Sequence, residues 1–244
     1  RDDVESRGLG DVYKRQHVRN YIKRQLQLEL LGEVPVLSIR TEPLQNPVNR
    51  LAKRLFDLTF SSLFLLTIFP FIYLIVGLII KITSPGPIFF KQERNGENGK
   101  IFKCYKFRSM KVNALSDSLQ ATKNDPRKTK FGNFLRKSNL DELPQFINVF
   151  KGEMSIVGPR PHMLKHTEEY SQLINKYMMR HLVKPGITGW AQVTGYRGET
   201  KELSQMEGRV RRDLWYIENW TFLLDIRIMI KTVTNMFRGE KNAY

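Results

Sequence analysis

The sequence predicts an α+β fold that is mainly α-helical. It combines a re-entrant membrane helix kinked at Pro70, a small β-hairpin, helices that carry the candidate catalytic residues, and amphipathic interfacial helices. Three observations predict this fold. An uncharged run of 23 residues, Leu58–Ile80, has the length and composition of a membrane helix. Two β-prone stretches flank a glycine-rich loop at residues 95–99. Apolar residues then recur at helical spacing between residues 131 and 237.

The charge balance limits the kinds of partner that the chain can have. Its 244 residues include 40 Lys and Arg against 24 Asp and Glu, a formal charge of +16. Such an excess favours nucleic acid, an anionic membrane face or a phosphorylated substrate. Because a nucleic-acid binder has no need of the apolar run, no nucleic-acid partner is expected. Cys104 is the only cysteine, which excludes an intramolecular disulfide and suits a chain that faces the cytoplasm.

The N-terminal part is expected to stand apart from the rest. Residues 1–16 lack apolar periodicity and are interpreted as a non-native leader or a disordered native tail. Residues 17–49 are interpreted as a connector from a missing N-terminal region. It would contain a short helix over His17–Leu31, a short strand at Val34–Ile39 and a proline-containing linker at Glu42–Asn49. A membrane segment over residues 50–83 and a cytoplasmic catalytic domain over residues 84–244 would follow.

The apolar run has two unusual features. At about 1.5 Å per residue it is roughly 35 Å long, yet Pro70 lies near its centre. Basic residues flank both of its ends, whereas a simple anchor has more positive charge on one side. Both ends are therefore expected on the cytoplasmic side, with the helix kinked at Pro70. A full span is the alternative. Candidate donors to the backbone carbonyls opened by the kink are Ser61, Ser62 and Thr67.

Shorter elements are expected after the apolar run, which Ser84-Pro-Gly-Pro87 ends. They are strands at Ile88–Glu93 and Lys100–Phe107, a polar mobile loop at residues 114–129, helices at Phe131–Lys137 and within Ser138–Gly152, a tight turn at Ser155–Pro161, a helix at His162–Leu182, a loop at Val183–Gly198, and two amphipathic helices within Lys201–Phe237. The last helix suits either packing against the core or a membrane interface.

Asp141 and Glu142 are the first candidates for chemistry. A structural interpretation is that Ser138 or Asn139 caps a helix whose first turn carries these acids. The functional interpretation is phosphoryl chemistry, because one carboxylate can attack phosphorus while the other holds a divalent metal. Mg²⁺ is the expected ion, since hard cations prefer carboxylate oxygens. The neighbouring Arg136 supports the functional interpretation.

Arg160 is the second candidate, because Pro159 and Pro161 fix the backbone on both sides of it. A guanidinium held in this way suits a bidentate phosphate contact, although an exposed arginine in a structural turn remains an alternative. Lys106 and Arg108 alternate along a predicted strand and would share one face, which could equally be the solvated face of a hairpin. The four histidines are scattered and are interpreted as structural.

Six motifs, in order, resemble those of the bacterial sugar transferases that act as monotopic polyprenyl-phosphate phosphoglycosyl transferases. The motifs are Lys53-Arg54-x-x-Asp57, Ser84-Pro-Gly-Pro-Ile-Phe-Phe-Lys-Gln-Glu-Arg94, Lys106-Phe-Arg-Ser-Met110, Leu140-Asp-Glu-Leu-Pro-Gln145, Gly158-Pro-Arg-Pro161 and Lys184-Pro-Gly-Ile-Thr-Gly-Trp-Ala-Gln192. Each motif alone is weak, but six in order are specific. The resemblance covers about residues 50–240 and is to the catalytic module of a larger member.

The resemblance implies a reaction and a place for it. A UDP-sugar would pass its sugar-1-phosphate, with glucose or galactose the first choice, to undecaprenyl phosphate, with release of UMP. The product would initiate exopolysaccharide, capsule or O-antigen synthesis at the cytoplasmic face of the bacterial inner membrane, in contact with its lipids. Asp141 would form the covalent intermediate, and Glu142, with Asp141, would hold Mg²⁺. The residues expected to bind phosphate or line the site are Arg136, Arg160, Lys106, Arg108, Pro159 and Pro161.

Two other classes of function are kept open. A non-catalytic basic membrane scaffold would explain the charge and the apolar run, but not the paired acids beside a fixed arginine. A lipid-diphosphate hydrolase would use the same carboxylates with water as the acceptor. The sequence leaves open the sugar and the oligomeric state, homo-oligomers included.

Overall fold

The computed structural model describes residues 26–31, 34–39, 42–111, 125–198 and 202–238. The helices and strands, in chain order, are β1 (Leu26–Leu31), β2 (Val34–Ile39), α1 (Pro47–Thr67), α2 (Phe69–Thr83), β3 (Phe89–Asn95), β4 (Ile101–Phe107), α3 (Lys130–Lys137), α4 (Gln145–Lys151), β5 (Ser155–Val157), α5 (Leu164–Leu173), β6 (Gly186–Thr188), α6 (Trp190–Val193), α7 (Leu203–Glu218) and α8 (Phe222–Arg238). Within these ranges the strands form three pairs: β1–β2 and β3–β4 are antiparallel, and β5–β6 is parallel. The mainly helical α+β fold is confirmed.

Helices α1 and α2 form a bent pair that breaks at Ile68, with 56° between them. In the part of the chain that the structure describes, no single helix has both the length and the apolar character for a membrane crossing, but this pair meets both criteria together. Pro70 lies in the first turn of α2 and has no backbone N–H, so the carbonyl of Leu66 loses its usual helical donor. The predicted kink is confirmed, and the break lies at Ile68, two residues before Pro70. Thr67 Oγ1 donates to a carbonyl one turn back, that of Leu63 at 2.7 Å.

Lys53 attaches α1 to the C-terminal helices. Its ammonium lies 2.5 Å from Asp225 Oδ2 in α8, and both side chains are nearly buried. The same carboxylate accepts hydrogen bonds from Tyr216 Oη at 2.7 Å and from Trp220 Nε1 at 3.0 Å. Three donors therefore hold the Asp225 carboxylate, and one of them comes from α1, the first helix of the bent pair.

Two further side chains of the Lys53-Arg54-x-x-Asp57 motif attach α1 to the centre of the molecule. Arg54 donates to the last carbonyls of α4, those of Val149 and Phe150, at 2.7 and 2.8 Å. Such a contact satisfies carbonyls that a helix end leaves open and places a cation at the negative end of the helix dipole. Asp57 Oδ1 accepts from the backbone N–H of Ile156 in β5 at 2.9 Å. The face of α1 that carries this motif is thus bonded to α4, β5 and α8.

The main core lies between α1, β4, α4, β5 and the two C-terminal helices. Its most buried apolar members include Cys104, Val149, Met154, Val157, Tyr216, Ile217 and Ile228. Aromatic contacts carry this core into the bent pair, since the rings of Phe64 and Phe146 lie 4.3 Å apart. The outer surface of the bent pair is instead exposed and apolar. Its exposed apolar side chains include Leu51, Leu55, Leu63, Leu66, Phe71, Leu74, Ile75, Leu78 and Ile82.

Several element predictions were wrong. Leu26–Leu31 is a strand and not the end of a helix, in keeping with its alternation of apolar and polar residues. The expected turn at Ser155–Pro161 and loop at Val183–Gly198 contain the paired strands β5 and β6. Their glycines, which suggested loops, permit this pairing, because a Cβ on Gly186 would lie 2.1 Å from the nitrogen of Gly158.

The helix predicted over His162–Leu182 is also shorter than expected. Helix α5 ends at Leu173, and Lys176 takes a left-handed conformation with φ of 65° before a 3₁₀ turn at Tyr177–Leu182. The leader predicted at residues 1–16, the first part of the predicted helix at residues 17–25 and most of the mobile loop predicted at residues 114–129 lie outside the described residues.

Candidate active site

Asp141 and Glu142 lie in a 3₁₀ turn, Leu140–Glu142, and not in the first turn of a capped helix. Asn139 is left-handed, with φ of 59°, and its side chain makes no cap. Its Oδ1 accepts instead from a guanidinium nitrogen of Arg197, which the sequence did not single out. Pro144 separates the turn from α4, which begins at residue 145. The capping interpretation of these acids is therefore wrong.

Glu142 is the centre of an ion-pair cluster. Its carboxylate receives both terminal nitrogens of Arg160, at 3.0 and 2.5 Å, and Lys106 Nζ at 2.7 Å. Burial alone would raise the pKa of Glu142, but Arg160 and Lys106 outweigh it and hold the pKa well below the ordinary value of glutamate. Glu142 is therefore ionised, and it fixes two cations beside Asp141.

Asp141 is in a different electrostatic position. Only 6% of the residue is exposed, and burial is the main cause that raises its pKa to about 6. Lys106 acts against this rise, whereas the charge of Glu142 adds to it. Its carboxylate forms no hydrogen bond or ion pair within the described ranges. The two adjacent acids therefore differ: Glu142 is engaged, and Asp141 is open to an incoming group.

Arg136 approaches the turn from the end of α3. Its Nε donates to Ser109 Oγ at 2.8 Å, and its positive charge opposes the rise in the pKa of Asp141. Helix α3 lies very close to the strand end, because a Cβ on Gly132 would come within 1.8 Å of the carbonyl oxygen of Ser109. Gly132 therefore permits the contact that places Arg136 in the site.

Arg108 does not join this cluster. Strand β4 ends at Phe107, so the alternation that predicted a face shared with Lys106 does not extend to Arg108. Its guanidinium donates to the backbone carbonyls of Ser84 and Pro85, the latter at 2.9 Å, and the residue is 6% exposed. Arg108 therefore holds the turn that follows α2.

The segment that carries Arg160 is fixed by its backbone as well as by its prolines. Gly158 N donates to the carbonyl of Thr188 at 2.9 Å, and Gly186 N donates to the carbonyl of Pro159 at 2.9 Å. The carbonyl of Pro161 accepts from Arg94 at 3.1 Å. These bonds continue the β5–β6 pair and hold Arg160 where its side chain meets Glu142.

A divalent metal fits this donor set only in part. Across the described part of the chain, no group of three or more His, Cys, Asp or Glu side chains is placed to hold a metal. Glu142 accepts three charged hydrogen bonds and retains about one of its four lone-pair sites. Asp141 keeps its oxygens open. The protein can therefore supply Asp141 and one oxygen of Glu142, and other ligands would have to come from substrate or water.

An open, buried carboxylate among fixed cations suits an enzyme that transfers phosphoryl groups, and the bent apolar pair beside it suits one that works at a membrane. The family model described as bacterial sugar transferase matches residues 48–239. The chain belongs to the bacterial sugar transferase family.

Individual relatives support this assignment. A UDP-glucose:undecaprenyl-phosphate glucose-1-phosphate transferase of Escherichia coli (strain K12) is 54% identical over 221 residues, 89% of this chain and 47% of that relative. The exopolysaccharide production protein PSS of Rhizobium leguminosarum bv. phaseoli is 45% identical over 77% of this chain and 96% of its own length. A UDP-N-acetylgalactosamine-undecaprenyl-phosphate N-acetylgalactosaminephosphotransferase of Aeromonas hydrophila is 35% identical over 91% of this chain and 53% of that relative. The chain spans about half the length of the first and third of these.

Proposed function

We propose that the chain transfers a sugar-1-phosphate from a UDP-sugar to undecaprenyl phosphate through a covalent intermediate on Asp141. A carboxylate oxygen of Asp141 attacks the phosphorus that bears the sugar, and the bond from that phosphorus to the bridging oxygen breaks, so that UMP leaves. An oxygen of undecaprenyl phosphate then attacks the same phosphorus. The bond to Asp141 breaks, which restores the carboxylate and yields undecaprenyl diphosphate sugar.

The difference between the two acids carries this proposal. Glu142 is occupied by Arg160 and Lys106, whereas Asp141 is unengaged within the described residues. With a pKa of about 6, Asp141 is mostly ionised at neutral pH, and its burial leaves it poorly solvated. A carboxylate in this state is a better nucleophile than one held by an arginine.

The cations would neutralise the charge that builds up during transfer. Arg136 is held through Nε, and its terminal nitrogens form no hydrogen bond or ion pair with described residues, so they remain for a phosphate. Arg160 and Lys106 are already oriented by Glu142, and part of each side chain is exposed. Pre-oriented donors lower the cost of reorganisation at the moment of reaction. Pro159 and Pro161 contribute by fixing the backbone of Arg160.

Mg²⁺ is proposed as the cofactor, held by Asp141 and by the remaining lone-pair site of Glu142, together with substrate oxygens. When bound, it would supply neutralisation of the diphosphate charge. The main part of Glu142, in this proposal, is to organise Arg160 and Lys106.

The bacterial inner membrane, entered from its cytoplasmic face, is the proposed location. The bent pair exposes large apolar side chains along both helices, such as Leu66 at 79% and Phe71 at 71%. Helix α8 has a buried side at Asp225 and Ile228, and also an exposed apolar side that suits a membrane interface. The exposed apolar residues of α8 are Phe222, Leu223, Ile230, Val233 and Met236. Membrane lipids are thus proposed partners.

Labelling tests the topology. In Asn49→Cys, a thiol reagent that cannot cross the membrane should react from the cytoplasmic side, because both ends of the bent pair are proposed to lie there. Cys104 is 2% exposed and should stay silent. Labelling of Asn49→Cys from the periplasmic side would establish a full span instead.

Release of UMP tests the activity. The purified protein is incubated with Mg²⁺, undecaprenyl phosphate and a panel of UDP-hexoses, beginning with UDP-glucose, which is in the name of the E. coli relative. We expect release that requires the lipid and is lost in Asp141→Asn. Sustained release without lipid would indicate a hydrolase. No release with any UDP-sugar would favour the scaffold.

A further inference from the structure

A buried ion pair lies behind the segment that carries Arg160. Arg180, in the 3₁₀ turn at Tyr177–Leu182, and Asp213, in α7, are each 2% exposed, and Arg180 Nη2 lies 2.6 Å from Asp213 Oδ2. Removing two charges from water is costly, and such a pair seldom stabilises a fold more than apolar residues would. Within the described part of the chain, neither residue forms a hydrogen bond with Asp141 or Glu142. Any contribution of the pair to the site has to pass through other residues.

The same guanidinium also holds the backbone next to the candidate site. Arg180 Nη2 donates to the carbonyl oxygen of Arg160 at 2.7 Å, and Nη1 lies 2.5 Å from Nδ1 of His162. Burial and then the charge of Arg180 hold the pKa of His162 well below its ordinary value, so the imidazole is neutral beside the guanidinium. One side chain therefore holds the chain before and after Pro161.

The carbonyl of Arg160 is the point that the prolines fix only in part. Pro159 and Pro161 fix φ at their own positions and Pro161 limits Arg160 to the extended region, but the orientation of the Arg160 carbonyl within that region is set by rotation at Arg160 itself. That rotation also sets the direction in which the side chain leaves the backbone. A guanidinium anchored by Asp213 fixes the carbonyl and, through it, the direction of Arg160 toward Glu142.

We propose that Arg180, held by Asp213, is a positioning residue for Arg160. This inference rests on the proposed function, in which Arg160 stabilises the transferring phosphate. It explains the buried charge: Nη2 of Arg180 donates to the Asp213 carboxylate and to the Arg160 carbonyl together, which an apolar side chain cannot do.

A double-mutant cycle tests the proposal. Arg180→Lys keeps a positive charge beside Asp213 but ends one bond short of the Nη2 position that reaches both Asp213 and the Arg160 carbonyl. We expect it to lower kcat for UMP release by about 10- to 100-fold, the range typical of misplaced catalytic groups. In an Arg160→Lys background the same change should cost less than about 2-fold, because a residue that acts through Arg160 has nothing left to position. Equal losses in both backgrounds, or no loss in either, would overturn the proposal.

A matched control separates positioning from general damage. Arg54 also binds two backbone carbonyls, at the end of α4 and away from Arg160. The cost of Arg54→Lys should be the same in both backgrounds. Where Arg180→Lys fails to fold, Asp213→Asn keeps the shape and one acceptor, and it should show the same dependence on Arg160.

A binding measurement distinguishes this proposal from the proposed function. The cycle is repeated by calorimetry with UDP, in the Asp141→Asn protein. A non-additive loss of UDP affinity, together with no lipid-dependent UMP release by the wild-type protein, would reject the function but keep the positioning role. Additive losses of UDP affinity, together with normal lipid-dependent turnover in the wild type, would reject the positioning role but keep the function. Absence of UDP binding would reject both.

Discussion

The carboxylate of Glu142 accepts both terminal nitrogens of Arg160, at 3.0 and 2.5 Å, and so the guanidinium is oriented before any substrate arrives. The side chain of Arg160 remains 28% exposed. Lys106, on the same carboxylate, is 21% exposed. The two cations are fixed on one side and reachable on the other, an arrangement that binds an anion without reorganisation.

The rate of UMP release should follow the ionisation of Asp141. Because burial raises its pKa to about 6, the free protein loses its nucleophile as the pH falls through that value. We expect kcat/KM to rise tenfold per pH unit below about 6 and to level above it. A pH profile measured at Mg²⁺ concentrations well below that for half-maximal rate tests this, because Mg²⁺ bound to Asp141 would itself lower the pKa. A profile that stays flat down to about pH 4.5 would show that the pKa of Asp141 is not raised or that Asp141 is not the nucleophile.

Asp141→Asn should increase stability while it removes activity. The folded pKa, about 6, lies above the ordinary 3.8, so ionised Asp141 destabilises the fold at pH values above about 6, and this cost disappears as the pH falls toward 3.8. We expect Asp141→Asn to gain about 1–3 kcal/mol at about pH 7.5 and little at about pH 4. Unfolding in detergent at both pH values tests it, and equal gains at both would show that the gain does not come from the buried charge.

Glu142→Gln should loosen the hold on the two cations. The change removes the negative charge that pairs with Arg160 and Lys106, and the amide NH₂ that replaces Oε2 cannot accept from Arg160 Nη1. We expect a fall in kcat of about 100-fold or more, the scale set by removal of one electrostatic contact in an active site.

The response to Mg²⁺ should separate the two roles of Glu142. If its main part is to hold Arg160 and Lys106, the Mg²⁺ concentration for half-maximal rate should change less than kcat does in Glu142→Gln. A large rise in that concentration with kcat preserved at saturating Mg²⁺ would make Glu142 primarily a metal ligand.

Gly132→Ala should displace the helix that carries Arg136. Its Cβ would lie 1.8 Å from the backbone oxygen of Ser109, which has no freedom to move aside. We expect a loss of about 1–3 kcal/mol of stability together with reduced activity. Gly77→Ala is the matched control, since its Cβ would meet only the side-chain end of Ile88, at 3.1 Å. Similar melting temperatures for the two variants would show that α3 can shift without cost.

Asp225→Asn should destabilise the attachment of α1 to α8. It leaves the Lys53 ammonium nearly buried without its counter-charge, and such a change typically costs about 3–5 kcal/mol. Glu97→Gln is the control, because its partner Arg50 is 56% exposed and exposed pairs contribute about 0–1 kcal/mol. Thermal unfolding in the same detergent compares them. Equal losses would mean that the Lys53 pair is solvated in solution.

Local signals in the sequence predicted most of the elements around the site. Pro70 sets the bend, a glycine-rich loop sets the hairpin, and Gly152 ends α4 in a left-handed conformation with φ of 84°. Each signal acts within a few residues of the feature that it determines. The three-residue strands β5 and β6 gave no such signal, because their glycines are equally typical of loops.

The candidate site was predictable as a set of residues but not as a set of partners. Adjacent acids and an arginine between prolines identified Asp141, Glu142 and Arg160. Which acid receives the arginine depends on how a 3₁₀ turn faces a segment 18 residues later, and spacing cannot show that. Arg180 gave no signal, since its importance lies in one contact with a backbone carbonyl.

The attachment of α1 has a consequence for how the chain can be divided. Lys53, Arg54 and Asp57 supply the counter-charge, the helix cap and the backbone acceptor that α8, α4 and β5 use. A fragment that begins at residue 84 would lose all three and uncover the ring of Phe146. The bent pair, which we propose enters the membrane, is therefore also part of the fold of the rest of the chain. We expect a segment taken from a relative to support folding only where it carries the same residue types at positions 53, 54 and 57.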